Sequence, residues 1–292
     1  MPFALRPLLT AVKPEEKHVR RCAVLGSPIA HSLSPVLHRA AYAELGLPWR
    51  YDAFDVGEEG LAAFLAGLDP SWRGLSLTMP LKRAVIPLCD EVAEPARLVG
   101  AVNTVLLAGG RRTGTNTDVP GMVEALRERG VRTVRHVLLV GVGATASSAL
   151  AASAAMDASR VWALARDPAR AQDLQRLATE LGVDLRVVAW GDAAADLPAR
   201  VDLAVSTVPD EAAAPVAFEV TRRAEVVFDA LYDPWPTRLA QAADQAGLVV
   251  LGGLDLLVHQ AALQVEQMTG KTPAPVAAMR AAGEHALRSR AG

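Results

Sequence analysis

Of the 30 basic residues in the chain only four are lysines, Lys13, Lys17, Lys82 and Lys271. Where a chain leans this far toward arginine, a lysine in an apolar loop marks chemistry that a guanidinium does not perform, because arginine keeps its proton in proteins. Lys13 and Lys17 fall in a polar tail and Lys271 in a Gly-Lys-Thr-Pro loop, whereas Lys82 closes the apolar loop "GLSLTMPLK" beside Ser76 and Thr78. Two polar loops follow. "GAVNTV" sets Asn103 inside an apolar run, where a buried amide without partners costs about 1–3 kcal/mol. "GTNTDVPG" puts Asp118 just before a helix, where a carboxylate also serves as an N-cap. Upstream, "GSPIAHSLSP" carries Ser32 and Ser34 one residue apart ahead of Pro35, although a strand-to-helix turn needs one capping hydroxyl. An ammonium, a carboxylate, an amide and surplus hydroxyls suit proton transfer on one polyhydroxylated ligand. His31, between the prolines, reads as a turn residue and not as a catalyst.

A second chemistry is written further along. "HVLLVGVGATASSALAASAAM" places Gly141, Gly143 and Ala146 in a G-x-G-x-x-A pattern directly between a predicted strand and a predicted helix. The first glycine allows the turn, the second lets a pyrophosphate approach the backbone, and the small third residue lets helix and strand pack closely. Helix N-terminal amides then face the phosphates. About twenty residues beyond such a turn an acid selects NAD and an arginine selects NADP. Here the run "RVWALA" ends in Arg166, with Arg170 one helical turn on, which favours NADP; Asp167 between them keeps NAD open.

These residues need elements to hold them. The chain has 292 residues, a length that suits two domains and also allows one large α/β domain, and its 51% hydrophobic content with 4% aromatics describes an Ala, Val and Leu core. That composition fits an α/β protein better than a β-sandwich. From Arg21 to about Val105, short apolar runs alternate with helical stretches: "CAVLG", "SPVLHRAAYAEL", "RYDAFDV", "GLAAFLAGL", "GLSLTM", a helix near "AVIPLCD", and "AVNTVLL". "AGGRRTGTNTDVPG" starts like a hairpin and opens the helix "MVEALRERG". From His136 the rhythm becomes regular, five or six strands separated by helices, which predicts a doubly wound parallel sheet. The last two helices, "DLLVHQAALQVEQMTG" and "APVAAMRAAGEHALRS", have no strand left to cover and must pack back on what is already built.

The net charge of −2 is dispersed, with no basic stripe for a nucleic acid. No run has signal-peptide or membrane-spanning length, and Cys22 and Cys89 read as reduced core thiols, so a cytoplasmic protein is expected. The six histidines show no metal-ligand spacing, and no metal is required.

Taken in order, "HSLSP", "GLSLTMPLK", "GAVNT", "TNTD", "GVGATA", "YDPWPTRL" and "GGLDLLVHQAALQ" resemble the shikimate dehydrogenase family, from about Val24 to Gly270. The resemblance implies an N-terminal α/β substrate domain over residues 1–120, completed by C-terminal helices in 255–292. A Rossmann-type domain with a doubly wound parallel sheet, over 121–254, would face it across a cleft. It implies that Ser32 and Ser34, with Tyr232, hold a substrate carboxylate, and that Thr78, Asn103 and Gln260 bind ring hydroxyls with Ser76 beside them. Lys82 and Asp118 would form the catalytic pair. On the cofactor side it implies Gly141, Gly143, Ala144, Thr145, Arg166, Arg170, Thr207, Val208, Gly253 and Leu256.

The implied activity is the reversible NADP-dependent reduction of 3-dehydroshikimate to shikimate, in the route to chorismate and the aromatic amino acids. A relative acting on quinate or an aminoshikimate with NAD or NADP stays open, as do monomer and homodimer. A non-catalytic relative would have lost Lys82 or Asp118, and both are present. The chain departs from the family's usual residues at Ser76 (asparagine), Ala144 (glycine), Ala165 and Asp167 (Asn and Thr around the arginine), Ser206 (asparagine) and Leu256 (methionine).

Overall fold

Among the described residues the strands form two six-stranded sheets. The computed structural model describes residues 19–192 and 196–291, so Lys13 and Lys17 lie outside the described residues. The first sheet holds β1 (Arg21–Gly26), β2 (Arg50–Asp55), β3 (Trp72–Leu77), β4 (Glu91–Val92), β5 (Thr104–Ala108) and β6 (Arg111–Thr115), in the order β2-β1-β3-β5-β6-β4. It is mixed: β1 runs parallel to β2 and β3, while β3–β5 and β5–β6 are antiparallel. The glycine pair read as a hairpin start is one, with Gly109 and Gly110 at φ +57° and +75° between β5 and β6, the twist that two-residue hairpins favour. Helices α1 (Ser34–Glu44), α2 (Glu58–Ala66), α3 (Leu81–Ala84) and α4 (Glu94–Val99) fill the connections. The single helix expected near "AVIPLCD" is instead α3 followed by a 3₁₀ turn over Ile86–Leu88. Pro87, lacking an amide hydrogen, cannot extend the α-helical ladder.

Helix α5 (Asp118–Glu128) leads to the second sheet: β7 (His136–Val140), α6 (Ala144–Ala154), β8 (Arg160–Ala165), α7 (Gln172–Leu181), β9 (Asp184–Ala189), β10 (Val201–Ser206), α8 (Asp210–Ala213), α9 (Ala217–Thr221), β11 (Ala224–Asp229), α10 (Arg238–Gln245) and β12 (Val249–Leu251). All its pairings are parallel and the order is β12-β11-β10-β7-β8-β9. Val137, Leu138, Leu139 and Val140 are fully buried, as both-face coverage of a parallel strand demands. The order reverses between β7 and β10, so a crevice opens beyond their carboxyl ends.

The last helices, α11 (Gly253–Thr269) and α12 (Val276–Ala291), return to the first sheet. Val258, Ala261, Val265 and Met279 share one core with Cys22, Val24, Leu37, Tyr42 and Tyr51. Helix α11 also packs on α5. At their crossing a Cβ on Gly121 would lie 2.8 Å from the Gln260 amide nitrogen, so glycine sets the approach that brings Gln260 near Asp118. Among the described residues no helix is long and apolar enough to cross a membrane.

Candidate active site

Lys82 stands on α3, and backbone hydrogen bonds tie that turn to the start of β5: the Val102 amide donates to the Lys82 carbonyl at 2.8 Å, and the Leu77 amide to the Asn103 carbonyl at 2.7 Å. Asp118 opens α5, and the capping role open to it is taken by Asn116. The Asn116 Oδ1 accepts from the amides of Asp118 (2.9 Å) and Val119 (3.2 Å), while Nδ2 donates to the Ala101 carbonyl at 2.9 Å. The Asp118 carboxylate is left for other partners. Lys82 Nζ donates to its Oδ2 at 2.6 Å and Asn103 Nδ2 to its Oδ1 at 2.8 Å. The pair is mostly shielded, with side-chain exposures of 18% and 8%.

A cavity of about 320 Å³ opens on this pair. Ser32, Ser34, Ser76, Thr78, Lys82, Asn103, Asp118, Tyr232 and Gln260 all line it, so the structure brings together every residue expected at the substrate. Ser34 is the first residue of α1 and does not cap it; the Ser32 Oγ accepts from the Ser34 amide at 3.3 Å, and Ser34 faces the cavity. Tyr232 follows a turn fixed by Asp229, which accepts from the Leu231 amide (3.2 Å) and the Thr237 hydroxyl (2.7 Å). Burial raises the Tyr232 phenol above its ordinary value, which keeps its hydrogen in place. His31 is an exposed turn residue at the cavity rim.

The cavity wall contains a polar network whose pairings are not written in any one motif. Tyr51 donates to Ser76 Oγ at 2.6 Å and Ser76 to Gln264 Oε1 at 2.8 Å, leaving Ser76 one lone pair toward the cavity. Gln264 Nε2 donates to Thr104 Oγ1 at 2.9 Å, and Thr104 to Asn103 Oδ1 at 2.8 Å. The Asn103 Oδ1 also accepts from the Thr117 amide at 2.8 Å, and Nδ2 also donates to the Thr117 hydroxyl at 2.9 Å. Both ends of the Asn103 amide are therefore engaged within the protein, answering what satisfies a buried asparagine. The signal for Gln264 was its place four residues after Gln260, on the same face of α11.

On the second sheet, Gly141, Gly143, Ala144, Arg166, Arg170, Thr207 and Val208 line a cavity of about 830 Å³. Gly141 has φ +114°, and a Cβ there would meet Thr207 Oγ1 at 2.6 Å. At Gly143 a Cβ would meet nothing, so the space above the turn is open, and no side chain caps α6. Among the described residues neither the Arg166 nor the Arg170 guanidinium has an ion-pair or hydrogen-bond partner. Asp167, the acid between them, accepts from the Ala169 amide at 3.1 Å and so caps the turn that follows. Open glycine turn, uncapped helix and free guanidiniums fit a phosphorylated dinucleotide. Thr207 lines both cavities, and Thr145, Gly253 and Leu256 line the one that holds Lys82. Ser206, buried at the end of β10, has no partner for its hydroxyl among the described residues. Among them, too, no cluster of His, Cys, Asp or Glu could hold a metal ion.

A parallel doubly wound sheet with a phosphate turn, joined at its crevice to a hydroxyl-lined cavity holding a lysine–aspartate pair, defines a two-lobed dinucleotide-dependent oxidoreductase. Similarity to known proteins narrows the class. Residues 24–105 match the model of the shikimate dehydrogenase substrate binding domain, and residues 253–282 that of the shikimate 5′-dehydrogenase C-terminal domain. A shikimate dehydrogenase (NADP(+)) of Thermus thermophilus is 38% identical over 267 residues, 91% of this chain and 98% of that one. The crystal structure of Mycobacterium tuberculosis shikimate dehydrogenase superposes with a TM-score of 0.85 at 40% identity, covering 91% and 99% of the two chains. That of a Thermus thermophilus shikimate 5-dehydrogenase in complex with NADP(H) and shikimate gives 0.78 at 34% identity, covering 92% and 100%. The chain belongs to the shikimate dehydrogenase family.

Proposed function

We propose that the chain catalyses the reversible NADP-dependent reduction of 3-dehydroshikimate to shikimate, with residues 1–120 and 255–292 as the substrate lobe and 121–254 as the cofactor lobe. The observation that carries this reading is the Lys82–Asp118 hydrogen bond of 2.6 Å in a cavity shared by the paired serines and by Thr145 and Thr207 of the other sheet. When bound, NADPH supplies the hydride to carbon 3 of the ketone. The Lys82 ammonium gives a proton to the carbonyl oxygen as charge develops there, which turns the ketone into the alcohol. In the oxidative direction the Lys82 amine takes that proton back. Asp118 holds Nζ in place through Oδ2, and Asn103 anchors the other carboxylate oxygen. Ser32, Ser34 and Tyr232 offer hydroxyl hydrogens to the substrate carboxylate, while Thr78, Gln260 and the remaining lone pair of Ser76 meet ring hydroxyls. Arg166 and Arg170 favour the 2′-phosphate of NADP.

Both sides of the cleft come from one chain, so this reading does not require a homodimer. Cys22 and Cys89 are free thiols, which supports a reducing, cytoplasmic compartment. Initial rates with shikimate and quinate, each with NADP and NAD, test the assignment. Shikimate with NADP is expected to be fastest; faster turnover of quinate with NAD would overturn it.

A further inference from the structure

Arg83 follows Lys82 on α3 and so belongs to the lobe of the first sheet, yet its side chain crosses the cleft. Its Nη1 donates at 2.6 Å to Oδ2 of Asp173, on α7 of the second sheet. Arg83 also lines the cavity of about 830 Å³ together with Gly143, Arg166 and Arg170. The contact is built to be exchanged. Both partners are solvent-accessible, with side-chain exposures of 50% and 41%, so water and salt weaken the pair. The other Asp173 oxygen, Oδ1, lies 3.3 Å from Arg176, so that carboxylate keeps a cation when Arg83 leaves. Asp173 stands three residues after Arg170, and residues so spaced on a helical winding are neighbours. Arg83 and its partner Asp173 therefore line the same cavity as the two guanidiniums that lack partners.

We propose that Arg83 is the substrate lobe's own ligand for the 2′-phosphate of the dinucleotide, exchanging Asp173 for that phosphate when it binds. The inference rests on the NADP reading above. An arginine suits the exchange because its planar fork matches a carboxylate and a phosphate equally well. The consequence is a mechanical link: the residue after Lys82 grips the phosphate that Arg166 and Arg170 hold from the other lobe, so recognition of the phosphate pulls the proton donor toward the crevice. A dinucleotide without the phosphate leaves Arg83 on Asp173.

Calorimetric titration of the intact protein with adenosine 2′,5′-bisphosphate and with adenosine 5′-monophosphate reads this directly, since the two ligands differ only in the 2′-phosphate. In Arg83→Gln, bisphosphate affinity should fall about tenfold, as for loss of one charge-assisted hydrogen bond, with monophosphate affinity unchanged. In Asp173→Asn, which frees Arg83 from its competitor, bisphosphate affinity should rise. An Arg83–Asp173 pair that merely latched the lobes would respond to both substitutions in the same direction and for both ligands alike. That result, or wild-type bisphosphate affinity in Arg83→Gln, overturns the proposal. The wild-type titration separates the two failures: a protein that binds both nucleotides equally refutes the NADP reading itself, whereas a bisphosphate preference untouched by Arg83→Gln refutes only the role of Arg83.

Discussion

Ser76 and Gln264, 188 positions apart in the chain, are joined by a 2.8 Å hydrogen bond in the buried wall of the cavity that holds Lys82 and Asp118. Gln264 Oε1 also lies 3.2 Å from His38 Nε2, and a carbonyl oxygen only accepts, so the imidazole carries its hydrogen on that nitrogen. Through Thr104 and Asn103 the same amide is connected to the Asp118 carboxylate. Every donor in the series has one direction, which fixes the orientation of both amides and, with them, the carboxylate that holds Lys82.

Gln264→Leu is expected to leave the Ser76 hydroxyl hydrogen and the His38 Nε2 hydrogen without an acceptor, while Thr104 loses one donor and keeps Asn103 Oδ1 as its acceptor. Each buried polar group so orphaned costs about 1–3 kcal/mol. Urea unfolding should show a loss of at least that size for one group, together with a raised KM for shikimate. An unchanged unfolding midpoint would remove the network from the account of the site.

Lys82→Ala should lower kcat by about 10²–10⁴, the usual contribution of a positioned proton donor, while shikimate still binds by calorimetry. Lys82→Arg should not restore turnover, because the guanidinium keeps its proton. Recovery of near-normal kcat in the arginine variant would show that only the positive charge matters.

Asn116→Ala removes the cap of α5 and should cost about 0.5–2 kcal/mol of stability. Because that cap also seats the Asp118 amide, kcat should fall as well. Asn116→Asp, which keeps the acceptor, should recover most of the stability in the same thermal melts. Equal loss in both variants would place the role of Asn116 in its contact to the Ala101 carbonyl.

His38 is fully buried against Tyr51, their rings stacked at 3.9 Å, and burial lowers its pKa from 6.5 to about 3. Below pH 6.5 the unfolded chain takes up a proton that the native ring refuses, so its contribution is present above that pH and fades as pH falls toward 3. The slope reaches at most about 1.4 kcal/mol per pH unit. Urea midpoints at pH 5 and pH 7 should differ less in His38→Gln than in the parent; an identical difference would mean that other groups govern the acid limb.

Features confined to a few neighbouring residues were legible in the chain before it folded. The G-x-G-x-x-A turn, the Gly109–Gly110 hairpin, the regular succession of strands from His136 and the isolation of Lys82 among arginines all follow from backbone preference or side-chain chemistry. Asn103 could be seen to need partners, since a buried amide must be satisfied, but not which partners. Folding alone settled that Asn116 and not Asp118 caps α5, that Gln264 completes the wall behind Ser76, and that Arg83 reaches across to Asp173. Turn and strand signals are set by local dihedral preferences, whereas a hydrogen bond between distant side chains exists only after helices such as α11 have packed back on the first sheet and brought their donors and acceptors within about 3 Å.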